Sequence, residues 1–170
     1  MSWDIIEGAT SYQLEINDVK SSTTSNSVVL DNLLVGSNSI KITPVSTADL
    51  VVNGDSKSIL INKLKNPSNL TYSNGTLSWE TISGATSYTI NINGDEYTTN
   101  TNSYTYNEFI VGDNSISIVA NDNNVAISSD AYNAVITKLA TPTNLQLNGN
   151  TLSWGAIEGA SSYSLFINDV

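Results

Sequence analysis

The chain contains no His and no Cys. That removes the commonest general base, the thiol nucleophile, and the imidazole and thiolate donors on which nearly all transition-metal sites depend. What remains for chemistry is oxygen. The adjacent carboxylates Asp95 and Glu96 are of the type that hydrolyses glycosides in pairs. They follow an Asn93-Gly94 turn signal, however, and neighbours on a strand point to opposite faces, so the two cannot converge on one bond. A solvated hairpin is the better reading. The run Asn121-Asp122-Asn123-Asn124, with Asp130 nearby, offers hard oxygen ligands for calcium. Its spacing matches no compact loop of the EF-hand kind, which also ends in a bidentate Glu. Asn and Asp tolerate left-handed φ, so a polar turn competes with that reading. A sugar-binding surface would need exposed rings. The set of possible ligand contacts is therefore Tyr97, Asn121, Asp122, Asn123 and Asn124, with no catalytic residue, no metal site and no cofactor expected.

Charge narrows the partners. The formal net charge is −10, and all six basic residues are Lys. No basic patch exists to neutralise a run of phosphates, so nucleic acid is not an expected partner. No apolar stretch approaches the ~20 residues that cross a bilayer as a helix, and no basic segment followed by an apolar run opens the chain as a secretory signal would. Only 13% of residues are charged. Polarity comes instead from Ser, Thr and Asn, which together with Ile, Val and Tyr favour strands and turns over helices.

An internal repeat organises these residues. The segments SWDIIEGATSYQLEIND from Ser2, SWETISGATSYTINING from Ser78 and SWGAIEGASSYSLFIND from Ser153 read almost alike. Trp3, Trp79 and Trp154 recur about 75 residues apart, longer than the ~20 to 50 of a solenoid repeat and suited to a small self-contained bead. Gly36 matches Gly112, Lys63-Leu64 matches Lys138-Leu139, and Pro67 matches Pro142. The expected division is a first repeat over 1–64 lacking its first strand, a complete repeat over 65–139, and the opening part of a third over 140–170. Residues 141–170 should fold poorly alone, because so short a piece buries too little to offset its chain entropy. The chain is therefore expected to be a fragment of a longer array. Met1 would be an internal methionine or an imposed start.

Alternation within the middle repeat predicts the strands. Asn69 to Tyr72 and Leu77 to Trp79 come first, with Leu70, Tyr72, Leu77 and Trp79 inward. Tyr88, Ile90 and Ile92 follow, then the Asn93-Gly94 turn, whose residues both accept positive φ, and a return strand from Asp95 to Thr99. Tyr104 and Tyr106 alternate next. Beyond a corner at Phe109 to Gly112, Ile116, Ile118 and Ala120 face inward, and a last strand runs from Tyr132 to Thr137. Seven short strands make an all-β sandwich. Comparing repeats sorts the aromatics: Tyr104 and Tyr106 align with Val28 and Leu30, and Tyr72 with Leu147, so these are core positions. Tyr97 aligns with Ser21, and Tyr132 lies near Ser56 and Lys57, so both should face water. No acidic set recurs at Thr47-Ala48-Asp49, the stretch comparable to Asn121–Asn124. Asp95, Glu96 and Lys20 are placed to protect exposed sheet edges by charge.

These residues resemble a fibronectin type III domain, an immunoglobulin-like sandwich: Pro67 and Leu70 near the first strand, LSWE with Trp79, GATSYTI with Tyr88, and FIVGDNSISIVA leading into the sixth strand. Two features depart from that family. Ile116, matched by Ile40, stands where a corner tyrosine is common, and the unit is short. The resemblance implies an extracellular, cell-wall or cell-surface location, as in bacterial adhesins and secreted polysaccharide-degrading enzymes. The linkers Lys63 to Pro67 and Lys138 to Pro142 are short and contain proline, so adjacent beads should not swing freely, and the leucine in each is expected to pack at the junction. Three functions follow: a non-catalytic spacer or stalk whose partners are neighbouring repeats; an adhesive module contacting a host protein or glycan; or an accessory part of a secreted enzyme whose catalysis lies elsewhere.

Overall fold

A computed structural model describes residues 1–123 and 126–167. Its regular elements are all strands. In the first repeat, β1 (Ser11–Ile16), β2 (Val19–Thr23), β3 (Gly36–Val45) and β4 (Lys57–Lys63) form one antiparallel sheet in the order β2-β1-β3-β4. Among the described residues the middle repeat holds seven strands: β5 (Thr71–Ser73), β6 (Thr76–Ser78), β7 (Ser87–Ile92), β8 (Asp95–Thr99), β9 (Ser103–Thr105), β10 (Gly112–Asn121) and β11 (Tyr132–Lys138). They divide into two sheets, β5-β6-β9 and β11-β10-β7-β8. This is a two-sheet, immunoglobulin-like sandwich, as the alternation predicts, and it is fibronectin type III-like, as the resemblance implies. The third repeat contributes a hairpin of β12 (Gln146–Asn148) and β13 (Thr151–Ser153).

Turn chemistry sets the register. Asn93 and Gly94 both have positive φ, at 53° and 99°, and the resulting type I′ turn places Ile92 opposite Asp95 and Ile90 opposite Tyr97. Asn17 and Asp18 do the same between β1 and β2. Between the sheets of the middle repeat, Leu77, Trp79, Tyr88, Ile90, Ile92, Ile116, Ile118 and Ala120 form one buried cluster. Each lies on the face that alternation assigned to the interior. Three recurrent turns, Ile6–Ala9, Ile82–Ala85 and Ile157–Ala160, each close with an Ala N–H donating to an Ile carbonyl at 3.1 Å. Glycine holds positive φ in all three, which a side chain would oppose.

Two expectations are corrected. The first strand begins at Thr71 rather than Asn69, because Asn69 sits at φ 56° and cannot continue a strand. Tyr72, expected inward, is 41% exposed. Its strand is a short sheet edge, and the ring lies across the rim against Phe109, centroids 5.1 Å apart, with its hydroxyl donating to the Tyr106 carbonyl at 3.2 Å.

The outer repeats show what a sandwich needs. In the first, the only trace of the second sheet among the described residues is a bridge between Ser2 and Ser27, at the place of the Ser78–Ser103 pair. In the third, Trp154 and Tyr163 reproduce the ring contact of Trp79 and Tyr88, 5.3 Å in each. Yet the residues after Ser161 form no strand up to Ile167, and Tyr163, Leu165 and Ile167 are exposed. In the other repeats this segment is held by pairing with β3 or β10. Local sequence makes the turn and the ring contact, but a strand requires its neighbour.

Candidate functional site

Tyr97 is half-buried and does not stand free in water. On β8 it lies opposite Ile90, on the interior side, and its ring packs half-buried against the core. Its centroid is 5.3 Å from Tyr104 and 5.8 Å from Tyr106, and Tyr106 continues to Phe109 at 4.8 Å. With Tyr72 these rings make a continuous aromatic rim where one sheet edge, β8, meets the other, β9. Burial is the main cause that holds the Tyr97 phenol above the ordinary tyrosine range, followed by Tyr106 and Asp95. The first repeat, which carries only one of the two sheets among the described residues, has Ser21, Val28, Leu30 and Leu33 at the matching positions.

The amide run lies elsewhere. Asn121 ends β10 on the outer face, its amide donating to Thr89 Oγ1 at 2.9 Å and accepting from Ser128 Oγ at 2.8 Å. Asp122 accepts from the Ala126 backbone N–H at 2.9 Å. The Asn123 backbone N–H donates to Thr86 Oγ1 at 3.1 Å. Asn124 lies outside the described residues. Tyr97 and Asn121 therefore occupy opposite faces of one sheet and are not brought together. Asp130 is also engaged, accepting from Lys63 Nζ at 2.7 Å. Asp95 and Glu96 sit exposed at the tip of the β7–β8 hairpin, pairing with Ile92 and Asn91 respectively.

The sequence reading missed a buried polar device. Asn114 is fully buried on the same face as Ile116. Its carbonyl oxygen accepts from the Ile110 N–H at 3.0 Å and from Asn93 Nδ2 at 2.8 Å, and its amide donates to the carbonyls of Ile110, Gly112 and Ile136. Asn93 in turn accepts from the Ser115 N–H. The corner that crosses between sheets is thus tied by an asparagine rather than a tyrosine. Asn38 and Asn17 repeat the device. The signal was present, because Gly36-Ser37-Asn38 and Gly112-Asp113-Asn114 share spacing as well as residue type.

A third constellation sits where the first repeat meets the second. Leu64 is 1% exposed and belongs to the middle repeat's core, with its Cδ2 beneath the Gly84 turn. The Leu64 N–H donates to the Ile127 carbonyl at 2.9 Å, and the Ile127 N–H donates to the Asn62 carbonyl at 2.7 Å. Beside this bridge stands the Lys63–Asp130 pair, with the Lys63 side chain only 11% exposed. The Asp130 N–H donates to Asn66 Oδ1 at 3.1 Å, and Pro67 is buried. Of the two linker leucines expected to pack at a junction, Leu64 does so, into the bead that follows, whereas Leu139 is 46% exposed.

Comparison with models of known protein families and with curated proteins returns no match. Among solved structures the chain is similar to a two fibronectin type-III domain segment from chicken tenascin, with 14% identity, 75% of this chain and 83% of that chain covered, and a TM-score of 0.43.

Proposed function

We propose that this chain is a non-catalytic spacer, a stretch of stalk in an extracellular bacterial protein of the cell surface or cell wall, built from one complete bead flanked by partial ones. The supporting observation is the junction. A backbone hydrogen bond from Leu64 to Ile127, another from Ile127 to Asn62, an ion pair and a core leucine all span a linker of a few residues. A chain tethered by coil alone would leave its beads free to reorient, whereas here bending would break a charge-assisted hydrogen bond and expose Leu64. The cysteine-free sequence makes the test direct. Spin labels placed through Lys20→Cys and Glu96→Cys, on matching edge strands of adjacent beads, should report one narrow distance distribution. Lys63→Ala combined with Asn66→Ala should broaden it. A broad distribution in the parent protein would overturn the spacer reading.

The aromatic rim favours a second reading, an adhesive module that stacks a glycan or a protein side chain across Tyr97 and its neighbours. Tyr97→Ser installs the residue that the first repeat has at this place, and a thermal melt shows whether the middle bead stays folded. Specific binding on a glycan or host-protein array that is lost in Tyr97→Ser would support adhesion, and binding unchanged by it would remove the rim from consideration.

A further inference from the structure

Asn53, Asn74, Asn93 and Asn148 each precede a glycine. With no side chain on the following residue, the glycine nitrogen reaches the asparagine Cγ with the least hindrance, so these are the places where the chain can react with itself. The structure treats them unequally. Among the described residues the side-chain amides of Asn74 and Asn148 make no hydrogen bond, and both residues are exposed. Asn53 accepts a single bond, from the Ser46 N–H at 3.1 Å. Asn93 is held at the atoms the reaction uses. Its Nδ2 donates to Asn114 Oδ1 at 2.8 Å, its Oδ1 accepts from the Ser115 N–H at 2.9 Å, and the Gly94 N–H donates to Asn91 Oδ1 at 3.0 Å.

We propose that Asn93-Gly94 is a site of hydrolytic modification that reacts only when the β7–β8 turn lifts off β10, and that a bead modified there cannot close again. In the open turn the Gly94 nitrogen gives up its proton and attacks Asn93 Cγ. The new N–Cγ bond closes a cyclic imide, and Nδ2 leaves as ammonia. Water then adds to one of the two imide carbonyls, and the ring opens to aspartate or isoaspartate. Either product is wrong for the corner. Aspartate sets a carboxylate oxygen against Asn114 Oδ1 where a donor stood. Asn114 cannot turn its amide round, because its Nδ2 is committed to the carbonyls of Ile110, Gly112 and Ile136. Two acceptors then face each other beside a fully buried amide. Isoaspartate routes the main chain through the side-chain carbons and lengthens the turn that sets Ile92 opposite Asp95. The first repeat builds the same device with Asn17-Asp18, at φ 49° and 67°, and there the aspartate side chain hinders ring closure. The two beads thus differ in chemistry at a place where they agree in geometry.

The test is incubation of the full chain at mildly alkaline pH, in buffer and in urea above the unfolding transition. Conversion of amide to acid at each asparagine is followed by mass spectrometry of peptides. In urea, Asn74, Asn93 and Asn148 should convert at similar rates. In buffer, Asn93 should be slower than Asn74 and Asn148 by at least about tenfold, since its reaction waits on a local opening that breaks the hydrogen bonds at Asn93 and Gly94. Gly94→Asp installs the pair found at Asn17-Asp18 and should slow conversion of Asn93 in urea as well. The consequence is read separately. Each event adds a negative charge, so ion exchange resolves the modified chains. On dilution from urea, those modified at Asn93 should not recover the Trp79 fluorescence of the parent in a Trp3→Phe, Trp154→Phe background, whereas those modified only at Asn74 or Asn148 should. Asn93→Asp should lower the urea midpoint, while Asn74→Asp, the same charge at the tip of the β5–β6 turn, should leave it unchanged. Conversion of Asn93 in buffer as fast as that of Asn74 would overturn the proposal. So would an Asn93→Asp chain with the parent midpoint, or full refolding of chains modified at Asn93.

Discussion

Replacement of Asn114 by Ala tests whether the corner of the middle bead is held by hydrogen bonds more than by packing. The side chain satisfies the Ile110 N–H and carbonyl together, and it also reaches Gly112, Ile136 and Asn93. Each buried group left without a partner costs about 1–3 kcal/mol. Counting only the two Ile110 groups, and taking the middle of that range, the loss is about 4 kcal/mol. A bead of this size sits toward the lower end of the ~5–15 kcal/mol typical of native domains, so most of its stability should go. Ile118→Val, at a position equally sealed from water, should cost only about 1 kcal/mol. Asn114→Leu separates the causes: it restores volume without restoring a single bond, and should remain as costly as Ala. The assay is urea denaturation followed by Trp79 fluorescence in a Trp3→Phe, Trp154→Phe background, with the slope against denaturant checked for constancy. A loss of about 1 kcal/mol or less for Asn114→Ala, or a full rescue by Leu, would refute the assignment.

Gly84→Ala should destabilise the middle bead by about 1–2 kcal/mol, since φ is 86° and the new methyl would press on Leu64; the same denaturation experiment reads it. Glu80 is held below the ordinary carboxylate range, first by the Ser68 hydroxyl and then by the Lys65 ammonium. A lowered folded value means that its small stabilising contribution is present above the unfolded pKa and lost as pH falls through the folded one. Carboxyl NMR titration should place Glu80 below the other glutamates, and Ser68→Ala should move it up. Tyr97 shifts the other way, so its contribution is complete below the unfolded tyrosine value and lost as pH rises through the folded one. Ultraviolet titration should show a late phenolate phase that disappears in Tyr97→Ser.

The parts of the fold legible beforehand were those set by period and by turn residues. Tyr88, Ile90 and Ile92 alternate strictly and are buried as one face. Asp95–Thr99 pairs where the Asn93-Gly94 turn requires. Edge behaviour was less legible. Tyr72 follows the alternation, but a three-residue edge strand has cover on one side only, and local pattern does not reveal which strands are edges. Tyr97 misled for a related reason. Its counterpart Ser21 is polar, which suggested a surface position, but Ser21 belongs to a repeat with one sheet among the described residues, whereas Tyr97 lies at the rim between two. Asn114 was hidden by its type. A polar residue in an alternating run reads as outward unless its partners are known, and those partners lie on three separate segments, at Asn93, Ile110 and Ile136.

Leu64 ties the joint to the core, and that link bears on how an array of such beads behaves. The residue follows directly on β4 of the first repeat, yet its side chain is sealed in the interior of the middle one. Asn62 and Lys63, still within β4, bond to residues just before β11. Folding of the middle bead therefore fixes the exit direction of the strand before it, and fraying of β4 would withdraw a core leucine from the bead after it. In arrays of this kind stability is a sum of bead terms and nearest-neighbour terms, and the neighbour term here includes a buried side chain worth about 1.5–3 kcal/mol of transfer free energy. A spacer of the kind proposed would resist bending for the same reason that it resists local unfolding. Stiffness at the joint and cohesion within the bead depend on the same residues.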